Sequence, residues 1–354
     1  MKSKFRKELS DDQLRACLLP HCGSMAPLNS KTPILIYAMD KNAISVYEVC
    51  KMFKNRLHIG TCSWNYPEWE EVGIYSAKQK RHYDYLPEYA EHFNTAEVDQ
   101  WFWSLETPDS IRLPKYEDVE AYAKLTPKDF KFTIKAPNSI TLTHFYKQAP
   151  KEFAEKPNPH FLSTKVMDAF LKTLKPLEDK VALIELEFEY LNKQKMPGIE
   201  AFFDRVGPFL DKLPDDYSFA IETRNPNFIK AEWFEFLRAH GTGHVFADGG
   251  YMPPPSSVYE KFGEASLPTK TVAMRLLGPD RLAIEKKTGK HWSKIVDPHE
   301  EAIDDASRFA AKLFPGHYDV YANFNNHFEG SAPLSIRTMI KMLKKYMMEM
   351  GGEG

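Results

Sequence analysis

A surplus of charge of either sign is missing from this sequence. Its 354 residues carry 47 Lys and Arg against 49 Asp and Glu, a formal net charge of −2. A chain so balanced has no whole-molecule attraction to nucleic acid or to an anionic membrane, which leaves only a local basic patch for either partner. Cysteine is scarce. Cys17, Cys22, Cys50 and Cys62 are the four present, none forms a CxxC pair, and no histidine spacing beside them suits zinc. A disulfide framework is thereby set aside, and reduced thiols in a cytoplasmic protein are expected. Long apolar runs are absent: the longest early one, 33–39, is far too short to span a bilayer. The charged N-terminus has no apolar stretch behind it and does not read as a secretory signal. HExxH and HxH are missing, so no metal is expected, although an all-carboxylate Mg²⁺ or Mn²⁺ site stays open. No other cofactor is indicated.

What is present is alternation. Short β-rich runs occur at 57–61, 95–99, 131–136, 181–187, 218–223, 243–247, 271–276 and 318–324. Helical patterns separate them at 83–92, 119–124, 164–174, 199–212, 230–240, 259–262 and 300–313, and a last one follows at 334–348. Strands alternating with helices demand right-handed crossovers and a parallel sheet. Eight such units in one chain predict an α/β protein, a single (β/α)₈ TIM barrel, rather than an open doubly wound sheet. The first strand is not followed by a GxGxxG turn, which argues the same way. The barrel is expected over 56–348, with an N-terminal extension at 1–55 and a flexible tail at 349–354. The extension has no clear period; it reads as weakly ordered, or as sequence upstream of a true start at Met52. The connection 141–163, with Pro150, Pro157 and Pro159, is long enough to be functional or mobile.

In such barrels function collects where the strands end. The first strand delivers Trp64 and Tyr66, and the second delivers Glu97 and Asp99, followed by Trp101 and Trp103. The third delivers Lys135, and the fourth Glu185, Glu187 and Glu189 at period two. Glu222 and Arg224 end the fifth, Asp248 the sixth, Arg275 the seventh, and Asn323, Asn325, Asn326 and His327 the eighth. Charges inside apolar strands are costly to bury alone, so Glu97, Lys135, Glu222, Arg224 and Arg275 should pair with one another. The plain reading is a network that satisfies only itself. The functional one is a pocket with Glu97, Glu222, Asp248 and Lys135 as candidate catalytic groups. Trp64, Tyr66 and Trp101 offer stacking faces, against the alternative of core packing. Asp99, Arg224, Arg275, Asn323, Asn325, Asn326 and His327 are candidate ligand contacts. Arg275, Arg281 and the helix start near Pro333 together suggest an anion site.

At these residues the chain resembles a known family. Ile59-Gly60-Thr61-Cys62-Ser63-Trp64-Asn65-Tyr66-Pro67, Phe93-Asn94-Thr95-Ala96-Glu97-Val98-Asp99 and Phe132-Thr133-Ile134-Lys135-Ala136-Pro137 are similar to motifs of the YecE-like family, the domain of unknown function 72. So are Ala220-Ile221-Glu222-Thr223-Arg224-Asn225-Pro226 and Phe324-Asn325-Asn326-His327 with Gly330-Ser331-Ala332-Pro333. The resemblance runs from Leu57 to Tyr346 and implies a (β/α)₈ barrel without an established activity. Family members commonly read Arg-x-His-Gly after the seventh strand, where this chain has Arg275-Leu276-Leu277-Gly278, and a Gln near the end of the fourth, where it has Glu185-Leu186-Glu187. The expected partner is a small sugar-containing or phosphorylated ligand, acted on by a hydrolase or lyase. The alternatives are a nucleic-acid-binding or endonuclease-like barrel, which needs a basic stripe from residues such as Lys147, Lys151 and Lys290, and a non-catalytic ligand sensor.

Overall fold

A computed structural model describes residues 45–351. Eight parallel strands close into a barrel: β1 (Leu57–Cys62), β2 (Thr95–Val98), β3 (Lys131–Lys135), β4 (Val181–Phe188), β5 (Phe219–Thr223), β6 (Gly243–Asp248), β7 (Thr271–Leu276) and β8 (Asp319–Phe324). Each strand pairs with its sequence neighbours, and β1 closes the ring on β8 through Leu57↔Val320 and the pairs that follow. The α/β barrel expected from the alternation is therefore present. Gly60 in β1 allows a close approach: a Cβ there would sit 1.9 Å from the Thr95 carbonyl oxygen.

Side chains alternate between the two faces of each strand. Ile134, Ile184, Leu186, Ile221, Phe246, Met274 and Ala322 face outward and join one large core with the helices. Leu183, Ala220, Val245 and Ala273 face the axis and form a small separate apolar cluster inside the barrel. The same inward parity carries Glu97, Lys135, Glu185, Glu187, Glu222, Arg275 and Asn323 to the axis above that cluster. Asp248 has the parity of Phe246 and points the other way.

Several short elements were not expected, and three of them bear on the fold. A helix at Val46–Met52 starts at Ser45, whose side chain accepts from Glu48 N, and buries Val46, Val49 and Cys50 in the core. It occupies part of the expected extension; residues 1–44 of that segment, with Cys17 and Cys22, lie outside the described residues, as do residues 352–354 of the expected tail. A helix at Arg281–Thr288, capped by Asp280 and stopped by Gly289 at φ +63°, buries only Ile284 and so has no apolar period. A short antiparallel ribbon joins Leu105–Thr107 to Ser110–Ile111. The 141–163 connection is tied down by Asn158, whose amide donates to the carbonyls of Ser139 and Leu142. Among the described residues no helix is long and apolar enough to cross a membrane.

Candidate functional site

The axis is filled by charge where an ordinary barrel has branched aliphatics. Arg275 lies at its centre. Nε and Nη2 hold both oxygens of Glu97 at 2.6 and 2.7 Å, and Nη1 holds Glu222 at 2.5 Å. Glu222 also meets Arg224 at 2.5 Å, and Glu187 receives Lys135 and, at 3.4 Å, Arg224 and Arg275. The Lys135 ammonium lies 4.0 Å from the centre of the Phe102 ring. Glu97 and Glu222 are fully enclosed, and the fork of Arg275 is turned into this network. Both acids expose no surface, and Arg275 is 3% exposed.

Three of the inward carboxyls depart from the usual range. Burial pushes Glu185 up to about 8, helped by Glu97 and Glu222; both its oxygens lack a hydrogen-bond partner, and the nearest Arg275 nitrogen is 3.5 Å away. Burial and the neighbouring Glu97 raise Asp99 to about 6, with Lys135 and Arg275 pulling the other way. Glu187 is held well below the normal range: burial opposes its ionisation, but Lys135, Arg224 and Arg275 outweigh it. Two inward carboxyls that share Lys135 as a neighbour are thus driven apart, Asp99 toward the acid form and Glu187 toward the base.

A cleft of about 500 Å³ is lined by Ser63, Asn65, Tyr66, His82, Gln100, Trp101 and Asp118; Asp99 adjoins it in sequence, next to Gln100, and is not itself in the lining. It lies off the barrel axis, over the ends of β1 and β2 rather than over Arg275. Trp101 is braced by Tyr122, ring centroids 5.2 Å apart and nearly parallel. The Tyr122 hydroxyl meets both the Gln100 amide and His82 Nε2, and burial lowers the pKa of His82. Ser63 takes up a left-handed φ of +66°, a conformation unusual for a residue with a Cβ, at the floor of the turn that carries Asn65 and Tyr66.

The other expected site residues fall elsewhere. Trp64 is a core residue: its Nε1 donates to the His82 carbonyl and its ring packs edge-on against Tyr122. Asp248 faces outward, where burial and Asp305 raise its pKa. Asn323 is enclosed and donates to Thr133 Oγ1 at 3.0 Å. Asn325 accepts from the His327 backbone and meets its Nδ1, while His327 Nε2 reaches Glu285 at 3.1 Å. Asn326 caps the last helix by accepting from Ala332 N, and the Glu329 carboxylate takes Ser335 Oγ and His299 N beside it. That helix start is already served by the chain's own acceptors. Arg281, 66% exposed at its side chain, pairs with Glu285. The anion site expected there has neither a free arginine nor an open helix end. Cys62 is buried, and burial raises its thiol pKa far above the ordinary value. Among the described residues no group of three or more acids, histidines or cysteines is arranged to hold a metal.

Gln100, His82 and Asp118 were not expected in a site. Gln100 sits between two residues that were, but His82 and Asp118 stand on separate helical segments and carry no local signal.

A model of the family described as "Protein of unknown function DUF72" matches residues 58–352. The UPF0759 protein YecE of Escherichia coli is 27% identical over 174 residues, 49% of this chain and 50% of that protein. The chain thus spans about half the length of the curated relatives it matches. A crystal structure of a DUF72 family protein from Thermotoga maritima superposes with a TM-score of 0.55 at 19% identity, covering 81% of this chain and 99% of that one. One from Enterococcus faecalis does so with a TM-score of 0.54 at 20% identity, over 81% and 95%. These likenesses establish the fold alone.

Proposed function

This chain belongs to the DUF72 family, and from that premise we propose that its C-terminal mouth binds a small sugar-containing ligand and hydrolyses it by acid–base chemistry between Asp99 and Glu187. The observation that carries this reading is the cleft lined by Gln100 and Trp101, the two residues that follow Asp99, where Trp101 offers an apolar face among the hydrogen-bonding groups of Ser63, Asn65, Gln100 and Asp118. A sugar needs that combination, because it has an apolar ring face and a belt of hydroxyls. A phosphorylated ligand is supported less well. Five carboxyls, Glu97, Asp99, Glu185, Glu187 and Glu222, stand against three cations, Lys135, Arg224 and Arg275, and each cation is already paired. Asp99, protonated below about pH 6, would protonate the departing oxygen, and ionised Glu187 would take the proton of the attacking water.

Calorimetric titration of the full chain with uncharged mono- and disaccharides, and turnover of their 4-nitrophenyl glycosides, tests the reading. Trp101→Ala should weaken binding by about tenfold. Asp99→Asn should abolish turnover while leaving binding within about threefold. In the wild type, turnover should fall as pH rises through about 6. Sugar phosphates that bind where uncharged sugars do not would overturn it.

A further inference from the structure

Among the described residues four large aromatics are exposed. Tyr116 opens the helix Tyr116–Leu125, while Trp103, Tyr190 and Tyr251, 53, 59 and 56% exposed, follow the ends of β2, β4 and β6. They are therefore spaced on alternate strands around one face of the ring. Large aromatics left open to water on one face are unexplained by folding, since burial would stabilise each of them. Trp103 is flanked by Tyr146, ring centroids 6.1 Å apart, and that tyrosine belongs to the connection after β3.

A second cleft, of about 390 Å³, lies over the ends of β5 and β6, where Pro226, Ile229, Tyr251, Met252 and Pro253 line it. In the closed strand order the β5/β6 pair stands diametrically across from the β1/β2 pair, which carries the Trp101 cleft. Polar groups join the two across the mouth. Asp99 lies within electrostatic reach of Lys135, Lys135 pairs with Glu187, Glu187 with Arg224, and Arg224 lies within reach of Tyr251.

We infer that the C-terminal face binds an extended, uncharged oligosaccharide, one end in the Trp101 cleft, the chain crossing the mouth over Trp103 and Tyr251, and the other end in the second cleft. This rests on the Trp101 cleft being a sugar site and extends it from a single unit to a chain. A monosaccharide has no use for a second cleft on the opposite side of the barrel. The excess of acids in the mouth disfavours a polyanion crossing the same path. Flat aromatic faces set along that path suit successive sugar rings, each of which presents an apolar face.

The test is titration of the full chain with glucose-, xylose- and N-acetylglucosamine-based oligomers from monomer to hexamer. Affinity should rise at least about tenfold between dimer and pentamer, and then level off. Trp103→Ala and Tyr251→Ala should each shrink the hexamer-to-dimer affinity ratio by roughly two- to tenfold. Trp101→Ala should weaken dimer and hexamer alike. Affinity independent of length would overturn the extended-chain inference while leaving the sugar cleft standing. Failure of every oligomer, including the dimer, would overturn the cleft reading itself. Binding of single-stranded oligonucleotides that depends on Trp103 and fades with salt would assign the aromatics to nucleic acid and overturn the inference.

Discussion

Glu185 carries a proton into neutral solution because burial and the neighbouring Glu97 and Glu222 outweigh the pull of Arg275 and Lys135. Its oxygens are enclosed, Glu97 and Glu222 stand close by, and the Arg275 fork is spent on those two. The consequence for stability has a definite sign. Between the ordinary carboxyl value of 4.5 and the folded value of about 8, the unfolded chain has lost this proton and the folded chain keeps it. Stability then falls as pH rises across that window and is level outside it. Glu185→Gln cannot ionise and fills the same space. Its Tm should decline less between pH 5 and 9 than that of the wild type, about as steep a loss being absent as one titrating carboxyl provides. Parallel Tm-against-pH curves for the two proteins would show that Glu185 is ionised in the folded state. Glu97 and Glu222 illustrate the limit of residue-type reasoning. Period-two spacing carries both to the barrel axis, as it does Asp99 and Glu187, but depth along the axis separates them. Depth depends on the stagger of each strand against its neighbours, which no strand carries in its own sequence.

At the scale of elements, the helices found in the sequence are those with an apolar stripe. Glu300–Leu313 is legible because Ile303, Ala306, Phe309, Ala310 and Leu313 recur at helical spacing and are all buried. Arg281–Thr288 buries one residue and left no such trace. Val46–Met52 does have a stripe, Val46, Val49 and Cys50, but it is short, and its partners lie far off in the chain. The Tyr47 hydroxyl, for example, donates to the carbonyl of Phe93 at 3.0 Å. This helix covers apolar surface of the barrel that water would otherwise reach. A chain beginning at Phe53 should therefore melt below one beginning at Ser45, by several degrees, since about 1–3 kcal/mol of burial is lost. Equal melting temperatures in scanning calorimetry would make the helix dispensable.

Across the whole molecule, closure is the organising fact. β1 and β8 stand near opposite ends of the described chain, and their pairing leaves no strand of the barrel with an open edge. A chain ending at Pro315 should lose β8 and the last helix, expose edges on β1 and β7, and aggregate rather than fold to a smaller monomer. Size-exclusion chromatography with circular dichroism reads the difference, and a folded monomer would contradict it. Closure also makes the site. β1, β2, β4 and β5 supply its groups from residues over a hundred positions apart, such as Tyr66 and Glu187, and only the ring brings them to one mouth.

The alternation of short β-rich runs with amphipathic stretches was enough by itself to determine eight strands, a parallel sheet and a barrel, because the period of burial is written locally in each segment. The inward charges at Glu97, Lys135, Glu222, Arg224 and Arg275 were likewise legible as a set that had to pair. The tertiary structure alone decided which of them pair with no surface left open, and that Trp64 is core while Trp101 is a wall of a cleft. It alone drew His82 and Asp118 in, whereas the outward turn of Asp248 follows from the parity of its strand. The physical reason is common to these: enclosure and the direction a side chain takes beyond the end of its strand depend on neighbours distant in sequence. A residue's own segment carries its parity but not its surroundings.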